Sequence, residues 1–392
     1  MISILKKLLN VSDQMLMTLW SFVLTILLSH FFEKEDFFLY NIYFIIQSIA
    51  ILLINSSIGQ LFLLDGKKYT PKSIIKWILL FSLLTFGIVF GAIQLDMIKM
   101  VTSLWNIFLI TYCITMFCCF ELTRRYFYSE NLFKNSLVYT LILVVSNLLI
   151  CIILYFLNRL NITSLLFFIG IVYSLVNIIV LLSFRKISNK DKVSLKINEI
   201  VEFNKWLLPG AVAYIITSQL FIIYMNNIDN KSDVINLRLL ETVFGVVLVF
   251  VAAFENYFIA TIKDLNLKSI IKKLSRIWLL FIIVMTGLSF FVNDIFSLLF
   301  NNNSNFSIYL ILLVLTFYIL SVISRILVVY LRLNKFNNII FFANTINSLF
   351  VIFIIVKKID LDLQLLFILK IIFIVISMIL YIIPNLFRWQ KK

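Results

Sequence analysis

The chain has 392 residues, 62% of them hydrophobic, with a mean hydropathy of +1.06 and a formal net charge of +15. No stretch is polar enough to form a separate soluble domain, so the length does not indicate two or three globular units. The apolar composition predicts an all-α polytopic membrane protein, in which the basic residues mark topology and require no nucleic-acid partner.

Long apolar runs follow one another along the whole chain, with short polar gaps between them. About 20 apolar residues carry a helix across the ~30 Å hydrocarbon core. Runs of this length predict about twelve transmembrane helices, over residues 14–32, 37–64, 74–95, 100–120, 132–158, 161–184, 206–228, 237–262, 276–299, 307–331, 336–356 and 364–387.

The basic residues give an independent indication of this count. Cytoplasmic segments of membrane proteins carry an excess of Lys and Arg. When both termini are placed in the cytoplasm, most of the 34 basic residues fall in cytoplasmic segments, including Lys6, Lys7, Arg388 and Lys391 near the two ends. We therefore expect a multi-pass protein with both termini cytoplasmic and a basic inner face that attracts anionic lipids.

The longest soluble segment lies between the sixth and seventh predicted helices. It predicts an N-terminal six-helix lobe over residues 1–184, a basic cytoplasmic linker over 185–205 and a C-terminal six-helix lobe over 206–392. The sequence Lys-Ser-Ile-Ile-Lys follows the second helix of each half, at 72–76 and 268–272. Two pseudo-symmetric lobes in one orientation are typical of transporters, with the substrate path between the lobes.

The first two predicted helices of each lobe carry polar residues at spacings of three and four, which place them on one helix face. Such stripes either line a polar path or pack helices together, and both interpretations stay open. The candidates for the path are Gln14, Thr18, Ser21 and Thr25 on the first helix, Asn41 and Asn55 on the second, Tyr214, Thr217 and Tyr224 on the seventh, Arg238 and Glu241 on the eighth, and Arg325 on the tenth.

Ionisable residues inside predicted spans are costly and usually face a partner or water. Arg238 and Glu241 are three residues apart, which predicts an ion pair near the outer end of their helix. Glu255 and Arg325 are candidates for a second pair, acting as a structural lock or an inner gate. Lys370 is expected to extend its amine toward the membrane surface.

The sequence offers no sign of catalysis. Glu121, Arg124 and Arg125, at the inner end of the fourth helix, are interpreted as solvated or facing lipid head groups. His30 is the single histidine, so no metal site is expected. There is no Gly-x-x-x-x-Gly-Lys-Ser/Thr loop, no Gly-x-Ser-x-Gly elbow and no His-Glu-x-x-His pair. We therefore expect a transporter without a cofactor, and not an enzyme.

Short motifs near the N-terminus carry a resemblance to a known family. Ser12-Asp13-Gln14 leads into the first helix, and Glu-Asp-Phe-Phe-Leu-Tyr at residues 35–40 begins the second. With the segment 121–134 after the fourth helix, they resemble the O-antigen and capsule-unit flippases of the multidrug/oligosaccharidyl-lipid/polysaccharide exporter superfamily. The resemblance covers about the first third of the chain.

The resemblance implies a flippase that moves undecaprenyl-diphosphate-linked oligosaccharides from the inner to the outer leaflet of the bacterial cytoplasmic membrane by alternating access. Its partners would be the lipid-linked oligosaccharide and the glycan polymerase machinery. On this hypothesis Arg238 or Arg325 attracts the diphosphate, and Tyr214 and Tyr224 contact sugar rings.

Two other functions stay open. One is a cation-coupled multidrug exporter of the same superfamily, whose coupling or gate residue would be Asp13 or Glu255. The other is a membrane-embedded glycan polymerase or ligase, although enzymes of that kind generally carry a substantial outer loop.

Overall fold

The computed structural model describes residues 2–94, 103–184, 187, 192–227, 233–245, 251, 267–300, 306–333 and 336–389. Within these ranges the chain is helical, and the β pairing consists of one isolated parallel bridge between Tyr69 and Val193. The predicted fold class, an all-α polytopic membrane protein, is confirmed.

The chain divides into two compact units. The first, the N unit, comprises Met1–Trp20 and Phe31–Leu208, and the second, the C unit, comprises Ser21–His30 and Pro209–Lys392. The helices before residue 205 are α1 Ile2–Phe31, α2 Lys34–Ile54, a π-helical turn Asn55–Gly59, α3 Gln60–Asp65, α4 Pro71–Gln94, α5 Leu104–Ser129, α6 Phe133–Phe156, α7 Ile162–Ser183 and α8 Ile197–Asn204.

The helices after the linker are α9 Leu207–Asn227, α10 over 233–245, α11 Leu267–Phe290, α12 Val292–Phe300, α13 Ile308–Leu333, α14 Asn337–Val356 and α15 Leu363–Trp389. Of the described segments, nine are long and apolar enough to cross a membrane. They are Glu35–Lys68, Pro71–Gln94, Leu104–Ser129, Phe133–Phe156, Ile162–Ser183, Leu207–Met225, Ile308–Leu331, Asn337–Val356 and Leu363–Ile382.

The other three predicted spans also correspond to helices. The first is the shorter apolar segment Met15–Phe31 of α1, and the eighth begins as α10, with the rest of 237–262 largely outside the described residues. The ninth, over 276–299, was expected to be one helix, and this was wrong. It is a pair of helices, α11 and α12, bent by 66°.

Side-chain hydrogen bonds account for the direction of α12. Asn293 donates to the carbonyl oxygen of Phe306 at 3.4 Å and accepts from its backbone N–H at 3.1 Å. The ring of Phe296 also meets that of Phe306 edge to face, with centroids 4.7 Å apart. These contacts tie α12 to the residues just before α13, and the apolar run alone does not reveal them.

The N unit is built around α5, which contacts α2, α4, α6 and α7. Its closest neighbour is α7, where Gly170 leaves room for the ring of Tyr112. By contrast, α4 and α6 present exposed apolar side chains such as Leu83 and Ile153. Exposed apolar faces on helices of this length suit contact with lipid tails.

Candidate functional site

A buried cluster of charged and hydroxyl side chains joins three helices of the N unit. We call it the N cluster, and it comprises Asp13 of α1, Arg124 and Tyr128 of α5, and Ser136 of α6. Arg124 donates to Asp13 Oδ2 from Nη2 at 3.1 Å and from Nε at 3.3 Å, and Ser136 donates to the same oxygen at 2.7 Å. The Tyr128 hydroxyl donates to Asp13 as well.

Burial and pairing together determine the charge of Asp13, which precedes the apolar segment Met15–Phe31 and is 0% exposed. Burial raises the pKa of its carboxyl group. The Arg124 guanidinium and the hydroxyls of Tyr128 and Ser136 outweigh this effect and lower the pKa below that of an ordinary aspartate. Asp13 is therefore ionised at neutral pH.

The expectation that Glu121, Arg124 and Arg125 form a solvated cluster or one that faces lipid head groups was wrong for Arg124. Arg124 is 4% exposed, forms an ion pair with Glu121 as well as with Asp13, and lies 5.8 Å from the centroid of the Phe120 ring. Its main partner lies 111 positions away along the chain. The sequence feature that could have indicated the buried cluster is Asp13 itself, a carboxylate just before an apolar run.

A second cluster lies in the C unit. We call it the C cluster, and it comprises Arg238 and Glu241 of α10 and Lys370 of α15. Lys370 Nζ lies 3.0 Å from Glu241 Oε1, and Arg238 Nη1 lies 4.0 Å from Glu241 Oε2. The Lys370 side chain is 8% exposed and the Glu241 side chain is 25% exposed. The cluster therefore joins two helices through a carboxylate that keeps some access to its surroundings.

The predicted pair of Arg238 and Glu241 is present, whereas the expectation that Lys370 extends to the membrane surface was wrong. The Lys370 amine lies 5.4 Å from the ring centroids of both Phe317 and Phe367. Two aromatic faces and a carboxylate stabilise the cation where it is. Glu241 of α10 and Phe317 of α13 are distant in the sequence, so the residues around Lys370 gave no indication of these two partners.

Several predicted path residues bond to their own helix. Thr25 Oγ1 donates to the carbonyl oxygen of Ser21 at 2.8 Å, Asn41 Nδ2 to that of Phe37 at 2.9 Å, and Thr217 Oγ1 to that of Ala213 at 2.9 Å. Thr25 and Asn41 are fully buried. Such bonds satisfy polar groups inside the packing of helices, and they leave the assignment of these residues to a path a prediction.

Other path candidates have different surroundings. Tyr214 is exposed, and the Tyr224 hydroxyl donates to the carbonyl oxygen of Ile359 at 3.3 Å. Asn55 opens the π-helical turn, where the stem of Arg125 lies against Gly59. Thr18 and Arg325 are half-buried. The side chain of Gln14 is not described, and Glu255 lies outside the described residues.

A cavity of about 370 Å³ lies in the C unit, at the N-terminal ends of α10, α13 and α15, and is lined about equally by polar and apolar groups. Asp233, Asn236, Ser307, Asp362 and Gln364 contribute to its lining. Among the described residues, no group of three or more His, Cys, Asp or Glu side chains is arranged to hold a metal ion. The two charge clusters are therefore the arrangements from which we build a functional proposal.

No protein-family model and no curated protein sequence matches the chain. Among solved structures, a multidrug resistance MATE family transporter of the MOP superfamily matches it in two conformations. The outward-facing one has a TM-score of 0.67 at 12% identity, covering 97% of this chain and 94% of that chain. The inward-facing one has a TM-score of 0.66 at 13% identity, covering 98% of both chains.

A third solved structure differs in its described chemistry. It is a MOP superfamily transporter from Pyrococcus furiosus, reported with a binding pocket of reverse polarity. It matches with a TM-score of 0.61 at 11% identity, covering 98% of this chain and 95% of that chain. At these identities the likeness concerns the fold, so this chain has the fold of MATE transporters of the MOP superfamily.

Proposed function

We propose that this chain is a membrane transporter that works by alternating access. The observation that carries the proposal is a fold likeness over nearly the whole chain to both an outward-facing and an inward-facing transporter. Buried ion pairs in both units agree with it, because charges inside membrane proteins usually serve a path or a coupling site.

For the substrate, the comparisons favour the multidrug exporter that the sequence left as an alternative. The outward-facing and inward-facing structures are described as multidrug resistance transporters, whereas the Pyrococcus furiosus structure is described as having a binding pocket whose reverse polarity suggests a different function. We therefore propose export of drug-like molecules, driven by a cation gradient, as the leading function.

Cation coupling requires a carboxylate that binds and releases a proton or a metal cation during the cycle. Asp13 is poorly suited, because it is fully buried and its lowered pKa keeps it ionised at neutral pH. Glu241 suits the role better, because a quarter of its side chain is exposed. A proton or cation that binds Glu241 in place of Lys370 would break the ion pair and so change the contact between the two helices. We propose Glu241 as the coupling carboxylate among the described residues.

A second candidate is the flipping of undecaprenyl-diphosphate-linked oligosaccharides. The C cluster supports it, because two cations, Arg238 and Lys370, face one carboxylate, Glu241. The excess positive charge suits a diphosphate, and charge-assisted hydrogen bonds from such groups are strong. In this case the partners are the lipid-linked oligosaccharide and the glycan polymerase machinery.

One experiment separates the two candidates. A deletion strain receives an empty vector, the parent chain, Glu241→Gln or the exposed control Glu202→Gln, and two quantities are measured: accumulation of a cationic dye and the pool of lipid-linked oligosaccharide. Export predicts that the dye accumulates without the protein and that the parent and the control, but not Glu241→Gln, reverse it. A larger pool of lipid-linked oligosaccharide in the empty-vector strain than in the strain with the parent chain, at equal dye accumulation, would select the flippase. If neither quantity differs between these two strains, both candidate functions are overturned.

A further inference from the structure

The short helix α8, Ile197–Asn204, belongs to the N unit and has an apolar face that the protein covers only in part. It packs against the π-helical turn Asn55–Gly59, with Ile200 and Asn204 buried. Ile197 is 61% exposed and Val201 is 64% exposed. An exposed pair of β-branched residues on a docked helix needs an apolar environment from another source.

The residue spacing places this pair on one side of α8. Ile197 and Val201 are four positions apart and therefore share a face, next to the buried face that contains Ile200. Asn198 and Glu202, also four apart and exposed, form a polar face about 100° around the helix from this pair. The helix thus separates apolar from polar side chains, the pattern of helices that lie in a membrane surface.

The element beneath α8 fixes its level relative to the bilayer. The apolar segment Glu35–Lys68, which contains the π-helical turn, has 34 residues. At about 1.5 Å per residue a helix of this length exceeds the ~30 Å hydrocarbon core, which about 20 residues cross. Counted from Glu35, the hydrocarbon ends close to Asn55–Gly59. A helix packed there lies at the boundary between acyl chains and head groups.

The flanking residues agree with this level. Trp206 follows α8, is partly exposed and directly precedes the transmembrane segment Leu207–Met225. Tryptophan is enriched at membrane interfaces because its ring is amphipathic. Lys196 and Lys205 lie at the two ends of α8, and lysines in such positions extend their amines to the head groups.

The segment before α8 is fixed to the N unit. The backbone N–H of Val193 donates to the carbonyl oxygen of Lys68 at 2.9 Å, and that of Thr70 donates to the carbonyl oxygen of Val193 at 2.9 Å. Leu195 donates to Ser73 Oγ at 2.9 Å and accepts from Trp77 Nε1 at 3.1 Å. These bonds anchor the segment before α8 at the N-terminal end of α4.

We propose that α8 is an interfacial helix that lies in the membrane surface, with Ile197 and Val201 inserted among the lipid acyl chains and Asn198 and Glu202 directed to water. The partner is the lipid bilayer itself. The proposal requires that the chain spans a membrane and does not depend on the substrate that it transports.

The test uses the full chain in vesicles of phosphatidylcholine and phosphatidylglycerol, with an environment-sensitive fluorophore on one introduced cysteine. The variants are Ile197→Cys and Val201→Cys, with Asn198→Cys and Glu202→Cys as controls on the same helix. The four natural cysteines are free and buried, and the parent chain gives the background labelling. Nitroxide-labelled lipids and aqueous iodide serve as quenchers.

We expect blue-shifted emission at positions 197 and 201 and lipid quenching several-fold stronger than at 198 and 202, with the reverse order for iodide. Equal lipid quenching at all four positions would overturn the proposal. Blue-shifted emission at 197 and 201 without lipid quenching would overturn it too, because a protein surface, of this chain or of a second copy, would then cover the face.

Discussion

Lys370 Nζ of α15 lies 3.0 Å from Glu241 Oε1 of α10, although the two residues are 129 positions apart in the chain. Phe317 and Phe367 place their rings beside the same amine. The pair connects two helices inside the C unit and leaves each charge dependent on the other. Its removal therefore has consequences for stability as well as for transport.

Loss of either partner is expected to destabilise the C unit. In Lys370→Gln, Glu241 retains Arg238 at 4.0 Å as its nearest cation. Breaking a buried pair by removing one partner costs about 3 kcal/mol or more, because the other charge stays behind. The double variant Lys370→Gln with Glu241→Gln is expected to lose less than Lys370→Gln alone.

The melting temperature of the detergent-solubilised protein provides the measurement, with the exposed Lys357→Gln as the control. Equal melting temperatures for Lys370→Gln and Lys357→Gln would contradict the role of the pair. A double variant less stable than both single variants would also contradict it.

The N cluster is expected to make stability dependent on acid pH. The pKa of Asp13 is lowered in the folded state, so its ionised form contributes stability above the unfolded pKa of about 3.9. That contribution is lost as the pH falls through the folded value. In the parent, the contribution of the N cluster to stability is therefore expected to be complete from pH 7 to about pH 5 and to decline below about pH 4.

Asp13→Asn is expected to lower the melting temperature at neutral pH and to flatten this acid dependence. The exposed Asp360→Asn is the control and is expected to follow the parent profile. Melting temperatures of Asp13→Asn and the parent that fall in parallel between pH 7 and pH 3.5 would show that the N cluster does not contribute to the pH dependence of stability.

The transmembrane segments were predictable because apolar length alone determines whether a helix can cross a bilayer. The ion-pair partners of the buried charged residues were not predictable in the same way. Whether Lys370 extends to the surface or turns inward depends on the rotation of α15 about its axis and on which helices lie beside it. The same reason applies to Arg124, whose main partner lies on α1. The bend before α12 depends on Asn293, whose hydrogen bonds to Phe306 are invisible in hydropathy.

The close approach of α5 and α7 is expected to tolerate no side chain at Gly170. A Cβ there would lie 2.7 Å from Cε1 of Tyr112, whose hydroxyl is held at 2.5 Å from Ser174 Oγ. Gly170→Ala therefore forces the helices apart, and overpacking of this kind costs about 1–3 kcal/mol. Gly87→Ala is the control, because nothing lies within 4 Å of its Cβ position. Thermal melts that fail to separate the two variants would contradict the packing.

The segment before α8, held by Val193 and Leu195, is expected to resist proteolysis. Trp77→Phe removes the indole donor to Leu195, and one hydrogen bond contributes about 1 kcal/mol, equivalent to a roughly fivefold change in the population of the open form. Trypsin cleavage after Lys192 and Lys196 is therefore expected to accelerate about fivefold. Trp105→Phe, at an exposed position on α5, is the control. An unchanged cleavage rate in Trp77→Phe would mean that the indole bond does not hold the segment.

Uptake of a cationic dye into inverted membrane vesicles observes transport itself and therefore tests the proposed export. We expect that vesicles containing the parent chain accumulate the dye when a cation gradient is imposed, and that Glu241→Gln abolishes the accumulation while Glu202→Gln does not. Dye accumulation equal to that of vesicles without the protein, under every gradient applied, would show that the chain does not export the dye.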